Sequence, residues 1–196
     1  MYQFFAQLSR MKYITRWGLM RNTQEENDAT HSLEVAMLAH ALGVIGNTYF
    51  GKEIDVNELA VLGLYHDATE IVTGDMPTPI KYFAPELREA YKKVEDTAAD
   101  HMISGLPKEL HEIYRPLLKV QGTKPEYSRY VKAADKLSAY LKCVEEERFG
   151  NDDFQVAKET IYKSIQEFGL EELDYFMEHF LPAYELTLDE QTKREE

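Results

Sequence analysis

His66 and Asp67 stand side by side behind a strongly apolar run, Ala60-Val-Leu-Gly-Leu64. An imidazole and a carboxylate are both ligands for divalent metals, and an apolar approach carries their lone pairs toward an interior. On a continuing helix at about 100° per residue, Glu70 projects between the two. A carboxylate there can serve a water as base or a leaving group as acid. The His-Asp dipeptide also fits a satisfied core histidine, so further ligands are required. His31 offers one, in a turn that enters the core beside Leu33 and Val35. His40, nine positions on and about 180° around the helix, cannot share an ion with it and reads as structural. Asp135 lies among Val131, Ala134, Ser138 and Ala139, a small-residue face on which an unpaired charge is costly. A metal ion would compensate it, or an arginine such as Arg129 or Arg148. Two imidazoles and two carboxylates (His31, His66, Asp67 and Asp135) suit Mn, Co, Fe or Zn better than Ca or Mg, and leave positions open for water and substrate.

The elements that must position these donors are helices, since apolar residues recur at helical spacing and no convincing strand alternation is found. Phe4, Phe5, Leu8 and Met11 mark a first helix. Thr30 is the expected N-cap of a second, with Leu33, Ala36, Met37, Ala41 and Val44 on its apolar stripe and a stop at Gly46-Asn47. Asp55 to Glu58 reads as a capping-box variant before a third helix that ends near Gly74. Two prolines in Asp75-Met-Pro-Thr-Pro79 call for a loop. Pro85 and Pro107 suit the first turns of two further helices, and another runs from about 126 to 148. The last two cover roughly 153–167 and 171–181, closed by Pro182. With no linker or repeat, the expectation is one all-α helical bundle over 1–188 with the metal site in its core, followed by a polar tail over 189–196.

Composition narrows the function. Against 22 basic residues the 196-residue chain carries 35 acidic ones, a formal charge of −13, which excludes a general nucleic-acid polymer or anionic-membrane binder. An anionic substrate is admissible only where cations are concentrated in one pocket. Cys143 is the single cysteine, so no internal disulfide is possible. It reads as a buried apolar residue rather than a nucleophile. No window approaches the ~18 apolar residues of a membrane span, and no signal peptide is recognisable, so the expected location is cytoplasmic.

The series His31, His66-Asp67, Asp135 in an all-α chain resembles the HD-domain superfamily of metal-dependent phosphohydrolases. The likeness extends through Phe4-Phe-Ala-Gln-Leu-Ser-Arg10, Arg16-Trp17, Leu19-Met-Arg-Asn22, Tyr65-His-Asp-Ala68, Thr73 to Phe83, Ala139 to Cys143 and Asp174 to Glu178. These segments are similar to the bacterial 5′-deoxynucleotidases of that superfamily over almost the whole chain. The resemblance implies hydrolysis of 2′-deoxyribonucleoside 5′-monophosphates, broad in base and discriminating against ribonucleotides, by a homodimer. It implies one divalent ion (Co, Mn or Cu, with Zn, Fe or Mg as alternatives) on His31, His66, Asp67 and Asp135. Arg16 and Trp17 match the pair that orients phosphate and deoxyribose, and Asp75, Met76, Pro77 and Thr78 the substrate loop; Met76 replaces a more usual leucine. Arg16 suits a bidentate grip on phosphate. Asp75 is expected to accept from the 3′-hydroxyl while the Trp17 ring leaves no room for a 2′-hydroxyl.

Competing readings are another HD chemistry, a phosphodiesterase or triphosphohydrolase, and a non-catalytic nucleotide-binding HD domain. The first calls for more basic residues than this chain offers. In the second, loss of the ion would leave Asp67 and Asp135 as buried unpaired charges. Lys81 and Arg21 read as exposed cations, His101, His111 and His179 as histidines without second ligands, and Glu145-Glu-Glu147 as a solvated charge run.

Overall fold

Asn27 opens the helix that carries the first histidine. Its side chain accepts from Ala29 N and Thr30 N while Thr30 Oγ1 accepts from Asn27 N, a reciprocal capping box. Thr30 is therefore the third residue of the helix rather than its cap. The structure, a computed structural model, describes residues 1–77, 80, 83–119, 122 and 124–193. Its helices are α1 (Phe4–Leu8), α2 (Asp28–Tyr49), α3 (Val56–Tyr65), α4 (Glu70–Thr73), α5 (Pro85–Ser104), α6 (His111–Leu118), α7 (Pro125–Arg148), α8 (Gln155–Gln166), α9 (Glu171–His179) and α10 (Leu188–Thr192). Short 3₁₀ turns cover Ser9–Tyr13, Lys108–Leu110, Asp152–Phe154 and Leu181–Glu185. Among the described residues there is no strand, and the isolated bridge Thr15–Asn27 pins the chain just before α2.

Most expected helices appear: Asp55 caps α3 through Glu58 N, Pro85 occupies the first turn of α5, and α7 spans the long helix. Two expectations on α2 are corrected. It runs three residues past Gly46, to Tyr49, and Leu33, Met37 and Val44 face solvent. Its buried face is Val35, Leu38, Ala39, Leu42, Ile45 and several small or polar residues, because α2 lies between α3, α7 and α9 and must let their backbones approach. Residues 189–192, expected as tail, belong to α10, which is begun by a Thr187–Glu190 capping box.

The main core joins α2, α3, α7, α8 and α9 through Leu42, Leu59, Leu62, Leu137, Leu141, Ile165 and Leu173. A smaller cluster (Phe4, Met11, Ala68, Met102 and Leu106) ties the N-terminal segment to the turn after α3. The α2–α3 crossing is the tightest contact relevant to the site. A Cβ on Gly63 would lie 2.7 Å from Ala36 Cα and 2.9 Å from Ala36 N, so only glycine permits this approach.

Candidate active site

α3 stops at Tyr65 instead of continuing to Gly74. Ala68 N bonds Tyr65 O at 3.1 Å, Glu70 N bonds Asp67 O at 2.9 Å and Val72 N bonds Thr69 O at 3.0 Å, a tighter turn than an α-helix. The break lifts His66 and Asp67 off the helix and sets Glu70 at the start of the separate one-turn α4. The angular argument that put Glu70 between His66 and Asp67 therefore does not apply.

α2 and α3 bring the two imidazole centroids to 5.2 Å. His66 Nδ1 lies 2.8 Å from Gly63 O, which fixes the proton on Nδ1 and leaves Nε2 as the free donor. At His31, Nδ1 faces Glu26 Oε1 and Ser138 Oγ, each at 3.1 Å, and Nε2 faces Asp135 Oδ1 at 3.2 Å and Asp67 Oδ2 at 3.6 Å. His66 Nε2 is buried 3.0 Å from Asp67 Oδ2, yet no hydrogen bond claims it. A buried ring nitrogen without a partner, aimed at a carboxylate, is what a metal ligand looks like when no proton is shared. Donor atoms of His31, His66 and Asp67 all lie within 4.8 Å of one another, and this nitrogen-and-oxygen set fits a divalent transition ion. Asp135 meets the group through His31.

Arg16 enters the same space. Its Nη1 lies 3.2 Å from Asp67 Oδ2 and 3.9 Å from Asp28 Oδ1, its Nη2 3.9 Å from Asp135 Oδ1 and its Nε 3.3 Å from Glu26 Oε1. Arginine does accompany Asp135, but it is Arg16. Arg129 donates to the Phe168 and Gly169 carbonyls, and Arg148 to those of Tyr184 and Leu186. Trp17 follows at a φ of +56°, with Nε1 donating to Glu26 Oε2 at 2.9 Å and its ring 5.3 Å from that of Phe154.

The charges hold one another in place. Burial works to raise the Asp67 carboxyl, but His66, His31 and Arg16 outweigh it and keep it below the usual carboxylate range. Asp135 is likewise lowered against burial by its His31 hydrogen bond, Lys136 and the histidine charges. Burial would lower Arg16, yet Asp67, Asp135, Glu26 and Asp75 raise it further, so it stays a cation. Burial also opposes charge on His31, while hydrogen bonds to Asp135 and Glu26 hold it up at about 9. Glu70 goes the other way: burial first, then the carboxylates of Asp67, Asp28 and Asp75, push it up to about 10. Its Oε2 is buried without a hydrogen-bond partner.

Asp75, Met76 and Pro77 lie half-buried after Gly74, and the Asp75 charge is felt at Arg16, Asp28 and Glu70. Thr78, Pro79 and Lys81 lie outside the described residues. Glu26 and Asp28 escaped the sequence reading. The signal was two acids placed five and three residues before a candidate ligand histidine, at a helix start where a carboxylate is ordinarily just a dipole partner. Asp28 is fully buried with neither oxygen hydrogen-bonded. Glu146, read within a solvated run, is also buried: only Glu145 and Glu147 face water. Cys143 is buried and its thiol pushed up to about 12 by that burial, as an inert core cysteine should be.

A family model described as 5′-deoxynucleotidase YfbR-like matches residues 3–184. The 5′-deoxynucleotidase YfbR of Salmonella typhi is 47% identical over 187 residues, covering 95% of this chain and 94% of that protein. The 5′-deoxynucleotidase VV1113 of Vibrio vulnificus is 48% identical, covering 95% and 96%. Among solved structures, an HD-domain phosphohydrolase from Listeria innocua superposes with a TM-score of 0.82 at 29% identity, over 93% of this chain and 88% of the other. The cyanophage S-2L HD phosphohydrolase DatZ, bound to dA and one catalytic Zn2+ ion, shares the fold at a TM-score of 0.67 and 23% identity, over 93% and 96%. The all-α bundle expected from the helical pattern is observed, and it is the HD-domain fold that the family resemblance implied.

Proposed function

The chain belongs to the YfbR-like 5′-deoxynucleotidase family, and from that premise we propose that it hydrolyses 2′-deoxyribonucleoside 5′-monophosphates to deoxynucleoside and phosphate, rejecting ribonucleotides. The observation that carries this reading is the Arg16 guanidinium, 3.2 Å from Asp67 Oδ2 and beside the His31–His66–Asp67 donors. The Arg16 cation, ringed by Glu26, Asp28, Asp67, Asp75 and Asp135, suits one phosphoryl group. The longer charge run of a triphosphate would meet those carboxylates. His31, His66, Asp67 and Asp135 are the residues to hold a cobalt, manganese or copper ion. When bound, such an ion offsets phosphate charge and acidifies water at neutral pH.

The protein's own groups do the rest. Arg16 grips two phosphate oxygens and turns the P–O5′ bond away from the incoming water. Glu70, whose carboxyl is raised by burial and by the Asp67, Asp28 and Asp75 carboxylates, is the group to hold a proton for the departing 5′-oxygen as that bond breaks. Asp75 accepts from the sugar 3′-hydroxyl, with Met76, Pro77 and Thr78 continuing that wall. The Trp17 ring, anchored by Glu26 and Phe154, occupies the volume a 2′-hydroxyl would need. The homodimer and cytoplasmic location implied by the family resemblance belong to the same reading; among the described residues no helix is long and apolar enough to cross a membrane.

The test is phosphate release from dAMP and AMP by wild type and Trp17→Ala. Wild type should favour dAMP by ~100-fold or more, and the variant should admit AMP with the preference reduced at least tenfold. An unchanged preference would remove Trp17 as the discriminator.

A further inference from the structure

α7 carries Asp135, Ser138, Lys142 and Glu146 at spacings of three, four and four, which place all four within about 80° around the helix axis. Asp135 stands at the metal cluster and Glu146 about 16 Å further along the same face. At that far end the Glu146 carboxylate, 1% exposed, accepts from Thr23 N at 3.0 Å, Thr23 Oγ1 at 2.8 Å, Gln24 N at 3.3 Å and Asn151 Nδ2 at 2.7 Å. Lys142 Nζ donates both to Glu146 and, at 2.7 Å, to the Gln24 carbonyl. Asn151 Nδ2 also reaches Arg21 O at 2.6 Å.

These contacts take hold of the segment that follows Arg16 and Trp17. Within it, Asn22 Nδ2 donates to Trp17 O at 3.2 Å and Met20 O at 3.1 Å, so the clamp on Thr23 and Gln24 is relayed to the Trp17 backbone. Trp17 sits in the left-handed region at +56°, which a non-glycine residue keeps only when its surroundings impose it. From the other side, Phe154 contacts the Trp17 ring and lies under Lys142 Nζ at 5.8 Å. A buried ion pair is a poor way to stabilise a core, where an apolar pair of similar volume would do as well, but it is a good way to hold backbone amides in one register.

We infer that Glu146, with Lys142 beside it, is a positioning residue for the substrate: α7 acts as a ruler between Asp135 and the 17–24 turn, and the Glu146 clamp sets how strictly Trp17 rejects a 2′-hydroxyl. This rests on the roles proposed above for Arg16 and Trp17. The clamp touches neither metal ligand nor substrate, so its loss should loosen sugar binding while leaving the ion in place.

The experiment compares wild type, Glu146→Gln, Thr23→Val and Trp17→Ala in steady-state turnover of dAMP and AMP, with Mn2+ affinity measured in parallel. Glu146→Gln should raise KM for dAMP roughly tenfold and narrow the dAMP preference by a similar factor, since a small misplacement of an orienting group is costly. kcat should change by less than about threefold and Mn2+ affinity by less than about twofold, the split expected when only ground-state orientation is lost. Thr23→Val, which removes one hydroxyl and keeps the ion pair and the remaining hydrogen bonds to Glu146, should move the same two quantities in the same direction by about threefold. Unchanged KM and preference in both variants, with only a lower melting temperature, would make the pair a fold element and overturn the inference. A fall in Mn2+ affinity in step with KM would overturn it too. Should Glu146→Gln fail to fold, Thr23→Val decides alone. A preference that collapses in Trp17→Ala but survives both clamp variants defeats the clamp and leaves the sugar reading intact. A preference unmoved in Trp17→Ala defeats the sugar reading, and the clamp then stands or falls on KM for dAMP through Arg16.

Discussion

Replacing Gly63 by alanine perturbs the metal site without touching a donor. The new Cβ would lie 2.7 Å from Ala36 Cα and 2.9 Å from Ala36 N, against backbone that has no rotamer to change. Ordinary carbon contacts begin near ~3.5 Å, so α2 and α3 must part by about 0.8 Å. His31 rides on α2 and His66 caps the end of α3, with centroids 5.2 Å apart, so the separation opens the donor pair itself. The Gly63 carbonyl that orients His66 Nδ1 moves with it. Overpacking of this kind costs about 1–3 kcal/mol of stability. A ligand displaced by most of an ångström should weaken metal binding ~10–100-fold, and turnover at limiting metal with it. Calorimetric titration with Mn2+ and a thermal melt of the metal-stripped protein read the two effects separately. A Gly63→Ala protein that melts lower but binds Mn2+ within twofold of wild type would refute the claim that this crossing sets the donor geometry.

Three further outcomes follow from other parts of the molecule. Arg16→Lys keeps a charge but loses the planar fork between Asp67 and Glu26, so kcat/KM for dAMP should fall at least ~100-fold by phosphate-release assay, with Mn2+ binding retained. Glu26→Gln removes the carboxylate facing His31 Nδ1 and should weaken Mn2+ binding ~10-fold or more in the same titration. The Glu146 carboxyl is lowered to about 2: burial opposes its charge, but hydrogen bonds from Lys142, Asn151 and Thr23 outweigh burial. A depressed carboxyl stabilises the fold fully above its unfolded value of ~4.5 and loses that contribution as pH falls toward ~2, on the order of 3 kcal/mol. Denaturant melts from pH 5 to 2 should therefore show wild type losing more stability than Glu146→Gln; parallel curves would exclude this linkage.

What the sequence disclosed and what it hid differ for physical reasons. The caps of α3 and α5 were readable because Asp55 and Pro85 act through their own backbone neighbourhood. At α2, Asn27 and Thr30 are partners in one capping box, so residue type alone could not say which was the cap. The inward face of α2 was misjudged because tight packing favours Ala39, Gly43 and Gly46 inside and leaves Leu33, Met37 and Val44 outside, inverting the size rule. The candidate donors His31, His66 and Asp67, which the fold brings together, were legible since their chemistry is in their side chains. The break after Tyr65 was not, since Ala68, Thr69 and Ile71 are all compatible with helix, and the burial of Ala68 in the cluster of Phe4, Met11, Met102 and Leu106 is a tertiary fact. Glu146 could have been found: it shares a helix face with Asp135, Ser138 and Lys142, a polar stripe on a helix otherwise lined by core residues. Glu26 and Asp28 left only their place shortly before His31 as a signal, because what sets them apart is Arg16, which the Thr15–Asn27 bridge brings beside them.

The most direct test couples metal content to phosphate release. Chelator-stripped protein is supplied with dAMP, dGMP, dCMP, TMP and AMP, with and without Co2+ or Mn2+, and bound metal is measured on the same samples. The account predicts no release without metal, recovery on binding of a single ion per chain with AMP far behind every deoxynucleotide, and loss of both bound metal and release in His66→Ala. Full release by stripped protein, or metal-dependent release that survives in a His66→Ala protein no longer holding the ion, would contradict it.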